Sequence, residues 1–184
     1  MYRDGKDGTP KDVNEAKRLF QEYITRFALP GGKPFPELYG KAHHNLGMIA
    51  YRRQDYLTAQ QHFSEAAAQG IELSKRNILQ MRIHGQLPAT LEECFLAICD
   101  YHGYTLPMPR SAFVFDQALG SIYFGGNANI SGNFGVFLDA IHLKSASSIK
   151  APVVWIRNEG GLTGDGRVEA QLLVVGQKKI DLKK

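Results

Sequence analysis

"NLGMIAYRRQDYLTAQQHFSEAAAQG", residues 45–70, sets small residues (Gly47, Ala50, Ala59, Ala66) among large ones at regular intervals. Ala59, Phe63 and Ala66 stand at i, i+4 and i+7, which puts them on one face of a helix. Small residues let a neighbouring helix approach closely, and the aromatic fills the groove they leave. Gly47 costs about 1 kcal/mol against alanine inside a helix, a cost that close helix contact offsets. The stretch reads as the contact stripe of packed helical hairpins.

The pattern recurs on both sides. Ala16, Phe20 and Tyr23 match the triplet at a shift of 43 residues, and Cys94, Ile98 and Tyr101 continue it at a shift of 35. Ahead of the triplets lie "MYRDG", "NLGMIAYRR" and "NILQMRIHG". Up to about Tyr104 the apolar period is helical, with loops marked by Gly5/Gly8/Pro10, Pro30–Pro36 and Gly85–Pro88. From Leu106 the texture changes. "TLPMPR" is a proline-punctuated joint, followed by the β-branched and aromatic runs "SAFVF", "SIYF", "GVFLDAIHL", "PVVWI" and "VEAQLLVV". Between them, "GGNANISGNFG" and "EGGLTGDG" carry the residues turns require and read as hairpin connections. The expectation is an α+β chain: a helical repeat domain over 1–105, then a small β domain over 106–184, a barrel or sandwich of five or six strands. Val153–Ile156 is apolar on both strand faces, so that strand is expected to be covered on two sides, with Trp155 in the core.

The helical part resembles the tetratricopeptide repeats, and more closely their Sel-one-like variant. The middle unit has the Leu46-Gly47 pair with Ala59, Phe63 and Ala66, and "AAAQG" at 66–70 resembles the closing motif of that variant. "MYRDGKDGTPKDVNEAKRLF" has its longer glycine-bearing turn, followed by Asp12 and Ala16. The third unit departs, with Cys94 at the alanine and Leu79 at the usual glycine. Met1-Tyr2 align inside the first helix of a unit, so the chain is expected to begin mid-repeat. The resemblance implies a short α-solenoid whose first helices line a concave, partner-binding groove. By alignment that groove presents Lys41, His44, Asn45, Met48, Tyr51 and Arg52, then Arg76, Asn77, Gln80 and His84. Arginine, lysine and amide side chains suit a peptide terminus or an acidic side chain. The resemblance also implies a bacterial scaffold, in the envelope or the cytoplasm, such as an assembly adaptor or a toxin antagonist.

The net charge of +4 is concentrated towards the C-terminus, where residues 106–184 hold 9 basic and 6 acidic side chains. That excess supports a second reading, a nucleic-acid-binding β barrel. It would use Lys144, Lys150, Arg157, Arg167, Lys178 and Lys179, with Tyr123, Phe124 and Trp155 as stacking groups. The charges are sparse for a nucleic-acid footprint, so a protein partner is the preferred expectation. No apolar run approaches the roughly 18 residues a membrane span needs.

Little in the sequence points to catalysis, a cofactor or a metal. His43, His44 and His62 lack the spacing of a known ligand motif. There is no GxSxG, and the glycine-rich runs do not match a phosphate-binding loop, though their backbone N–H groups suit an anion. Cys94 and Cys99 would diverge by about 140° on a helix, and Cys99 reads as a packing residue.

Overall fold

Short polar side chains start several of the helices. Asp12 Oδ1 accepts the N–H groups of Asn14 and Glu15 at 2.9 Å, opening α1 (Val13–Phe27). Pro36, which lacks an N–H at a position where none is needed, opens α2 (Pro36–Arg52). Asp55 caps α3 (Tyr56–Ala68), and α4 (Glu72–Ile83) follows after the Gly70 turn. Thr90 and Glu93 form a reciprocal capping box on α5 (Leu91–His102), which Gly103 ends in the left-handed conformation. The computed structural model describes residues 12–27, 35–120 and 127–182. Expectations for Met1–Lys11, and for Tyr123 and Phe124, lie outside the described residues. The chain is α+β and divides into two units, one ending at Ala89 and the other beginning at Thr90.

In the first unit α2 packs against α1 and α3, and α3 packs against α4. The small residues of the opening stretch are contact points. Ala59, Phe63 and Ala66 have no exposed surface, and a Cβ built on Gly47 would sit 2.6 Å from Phe63 Cδ1. A Cβ on Gly40, two turns earlier, would meet Gln69 Cβ and Ile71 Cγ1 at 2.9 Å. The α2–α3 approach thus depends on glycine backbone lying against side chains.

The second unit contains α5, a single 3₁₀ turn (Arg110–Ala112) and, among the described residues, ten short strands. These are β1 (Gln117–Leu119), β2 (Asn129–Ser131), β3 (Gly135–Leu138), β4 (Ile141–Leu143) and β5 (Ser148–Lys150). After them come β6 (Val153–Ile156), β7 (Leu162–Gly164), β8 (Arg167–Glu169), β9 (Leu172–Val175) and β10 (Lys178–Ile180). Their pairing is that of a parallel coil rather than the expected barrel or sandwich. One sheet runs β1-β3-β6-β9-β10, a second β2-β5-β8 and a third β4-β7. Every pair is parallel except β9–β10, a terminal hairpin.

The register shows why. Ile130 pairs with Ile149 and Ile149 with Val168, so each turn of the coil advances 19 residues on this face. Val136, Val154 and Leu173 stack in the same way on another face, as do Leu138, Ile156 and Val175. A side chain from each turn lies on its counterpart from the turn before, and these residues make the buried interior. Among the described residues the glycine-rich segments therefore hold the parallel-paired strands β2 and β7, with corners of the coil beside them, and are not hairpin connections. "SAFVF" contributes the 3₁₀ turn and an extended segment, with no strand.

The outward row of the large sheet, Phe137–Trp155–Val174, is also buried, so β6 is covered on both faces. Its cover is aromatic. Phe95 from α5 lies 5.4 Å from Trp155 and 5.6 Å from Phe113, while Phe115 lies 6.1 Å from Trp155 (ring centroids). Trp155 Nε1 donates to Gly176 O at 3.0 Å, so its one polar atom is satisfied. The sequence grouped the α5 residues with the repeats on a Cys94/Ile98/Tyr101 face. In the fold α5 buries Phe95, Ala97, Ile98 and Cys99 within the second unit, and Cys94 is only half-buried.

Two stability predictions follow from these contacts. Gly47→Leu should destabilise the helical unit by about 1–3 kcal/mol through overpacking against Phe63, whereas Ala68→Leu, at an exposed position, should not. Thermal unfolding followed at 222 nm distinguishes them, and equal melting would refute the close-contact account. Phe95→Ala should cost about 3–5 kcal/mol and shift the emission of Trp155, the sole tryptophan, to the red. Unchanged emission would mean that α5 does not cover this face.

Candidate functional site

The helical unit holds a cleft of about 220 Å³ lined by Met48 and Tyr51 of α2, Phe63 of α3, and Asn77, Gln80 and Met81 of α4. The pitch of an α-helix explains the convergence. Met48 and Tyr51 are three residues apart, as are Asn77 and Gln80, so each pair projects from one face of its helix. One turn earlier the same two helices are tied by His44 Nδ1 and Ser74 Oγ at 2.7 Å, with Ser74 wholly buried. Phe63 and Met81, both buried, form the apolar base, and His44 also touches the Phe63 ring at 5.7 Å between centroids.

Two polar groups of the cleft have partners within it or beside it. Asn77 Nδ2 donates to Met48 Sδ at 3.6 Å, and a thioether is a weak acceptor. Gln86 Nε2 donates to Tyr51 OH at 3.3 Å, and the Tyr51 ring meets Tyr56 edge-on at 5.7 Å. A bound carbonyl would be a better acceptor for the Asn77 amide than sulfur is. The arrangement therefore suits an apolar group on the base with a backbone amide or carbonyl at the rim.

Of the groove residues expected from the sequence, Met48, Tyr51, Asn77 and Gln80 line this cleft. Lys41, Asn45, Arg52, Arg76 and His84 are not among its lining residues. Lys41 is exposed and pairs with Glu37 at 2.5 Å one turn away, and Arg52, Arg76 and His84 are exposed. Phe63 and Met81 were not anticipated as site residues. Phe63 carried a packing signal in the sequence, and a buried packing residue can also be the floor of a cleft.

The second unit uses many of the groups that suggested other chemistry. The backbone N–H groups of Asn133, Phe134 and Gly135, the anion cradle suggested by "GGNANISGNFG", are occupied by the Asp116 carboxylate. Burial pushes this carboxyl up, but the backbone donors, those three together with the N–H of Asp116 itself, outweigh it and hold it below its ordinary value. In "EGGLTGDG" the N–H groups of Asp165 and Gly166 go to Leu143 O. Lys150 and Arg167 both pair with Glu169, and Arg157 pairs with Asp139 at 2.6 Å. Trp155 is 3% exposed, too buried to stack on a base, while Lys144, Lys178 and Lys179 are exposed.

Among the described residues no three histidine, cysteine or acidic side chains gather as a metal site, and no helix is long and apolar enough to cross a membrane. Comparisons with protein-family models, curated proteins and solved structures returned no match.

Cys99 is buried, and its thiol is pushed up to about 12, by burial first and by Asp100 next, against the opposing charge of Arg110. It is held as the thiol, not the nucleophilic thiolate. Native-state alkylation at pH 8 should therefore label half-buried Cys94 well before Cys99, read by peptide mass mapping. Faster labelling of Cys99 would contradict this placement.

Proposed function

We propose that this chain is a non-enzymatic interaction protein, a short α-solenoid of Sel-one-like hairpins joined to a β unit, that binds a protein partner in the cleft between α2 and α4. The observation that carries the reading is the convergence of Met48, Tyr51, Asn77 and Gln80 over Phe63 and Met81. The repeat alignment assigns the first four to a concave binding face, and the cleft has the chemistry such a face needs. At about 220 Å³ it is smaller than the roughly 300–1,000 Å³ of cofactor and drug-sized sites. It fits one apolar side chain of a partner, with the Asn77 amide, held only by the Met48 thioether, at hand for the partner's backbone.

A buried anchor of this kind supplies most of the energy in many interfaces. Arg52 and Arg76, exposed on the same two helices, supply charge for an acidic partner. A bacterial envelope adaptor and a toxin antagonist both belong to this class.

Capture from a lysate of cells that make the protein tests the reading. Three baits are compared: the wild type, Gln80→Trp, which fills the cleft from an exposed position, and Arg52→Glu/Arg76→Glu. A protein retained by the wild type and lost by Gln80→Trp is the expected result, with weaker retention by the charge-reversed bait. Nucleic acid held equally by all three baits and released by salt would overturn the proposal.

A further inference from the structure

On the hairpin formed by α2 and α3, a second hollow of about 580 Å³ is lined by His43, Gln60, Gln61, His62, Ser64 and Glu65. At its base two histidines from different helices meet nitrogen to nitrogen. His43 Nδ1 and His62 Nδ1 are 3.0 Å apart, with ring centroids at 5.1 Å. His43 is 7% exposed, and its Nε2 is buried with no hydrogen-bond partner. His62 is half-buried, so the hollow gives solvent a route to it.

We propose that the His43–His62 pair is a proton-operated latch on the α2–α3 hairpin, held by an Nδ1–H···Nδ1 bond that exists only while one of the two rings is neutral. The bond needs one nitrogen carrying a proton and one carrying a lone pair. A buried N–H without an acceptor is costlier than a buried lone pair without a donor. The favoured arrangement therefore leaves His43 Nε2 bare, with His43 Nδ1–H donating to His62 Nδ1. A proton arriving from solvent then has two destinations. On His43 Nε2 it preserves the bond but buries a charge with no acceptor. On His62 Nδ1 it takes the lone pair that accepts the bond, so that two N–H groups face each other unless His43 moves its own proton to Nε2, which is buried with no acceptor. Both outcomes weaken the helix contact.

The surroundings set the sign. Burial holds both rings below the ordinary value of 6.5, and His62 is pushed further down by His43 and by Lys17 from α1. Glu65 on α3 opposes the shift for both rings. Tyr39, one turn before His43 on α2, contributes ring contact at 4.7 Å. Among the described residues no charged group of α4 is a cause of either shift. Because the folded values lie below the unfolded ones, the unfolded chain takes up more protons in acid. The stabilisation is complete above about pH 6.5 and is lost as pH falls through the folded values. This inference does not depend on what the α2–α4 cleft binds.

The test is thermal unfolding of the full chain at 222 nm between pH 8 and pH 5, with a chelator present. The wild-type helical transition should fall by about 5 °C over this range. His62→Gln, neutral at every pH, should melt lower at pH 8 but lose most of the acid dependence. An unchanged acid slope in His62→Gln would overturn the proposal. Should that variant fail to fold, the wild-type imidazole resonances of the six histidines decide. Those of His43 and His62 should titrate below the ordinary imidazole value, and ordinary titration of both would overturn it.

Discussion

Phe63 lying against the bare backbone of Gly47 is the contact on which the helical unit depends. With a Cβ at 2.6 Å there would be no room for the ring, and without the ring the α2–α3 interface would lose its largest fully buried side chain. The same phenyl group is the floor of the cleft between α2 and α4 and the neighbour of His44, which ties those helices through Ser74. Packing and candidate binding share one residue. The cleft exists because α2 and α3 come close enough, around a glycine, for Phe63 to reach under Met48 and Asn77.

The second unit solves its packing problem by repetition. Its strands are three or four residues long, too short to be stable as isolated pairs. Stacking in register lays the inward valines, leucines and isoleucines of successive turns on one another. The row Phe137–Trp155–Val174 points the other way, and α5 with Phe113 and Phe115 keeps it from water. A helix cap, a left-handed glycine and an aromatic cluster thus serve one end, covering a sheet that would otherwise expose its largest side chains.

Part of this was legible in the sequence. The small–aromatic–small triplet marked the buried face of α3, and the apolar run Val153–Ile156 marked a strand covered twice with Trp155 inside. Both signals are local, because helix and strand periodicity are set by neighbours within a few residues. The face of α5 was misjudged, since periodicity shows that a helix has an apolar side but not which long-range partner it covers. Phe95 meets Trp155 across 60 positions of sequence.

The parallel coil escaped for a related reason. Glycine and asparagine serve a coil corner as well as a hairpin turn, so composition alone favoured the commoner connection. The readable signal was the 19-residue echo of "SIKAPVVWI" in "RVEAQLLVV", which pairs Ile149 with Val168 and Trp155 with Val174. At the candidate site, the resemblance to the repeats singled out Met48, Tyr51, Asn77 and Gln80, which line the cleft. It could not reveal that Phe63 and Met81 close the cleft from below, because a residue's depth depends on the helix packed against it.

The central claim is that the partner sits in the α2–α4 cleft. Its most direct measurement is site-specific photo-crosslinking in cells that make the protein, with the photoreactive residue at Gln80 or, for comparison, at Lys178 on the β unit. The account requires a discrete protein adduct from Gln80 that is absent from Lys178. No adduct at Gln80, together with a nucleic-acid adduct at Lys178, would contradict it.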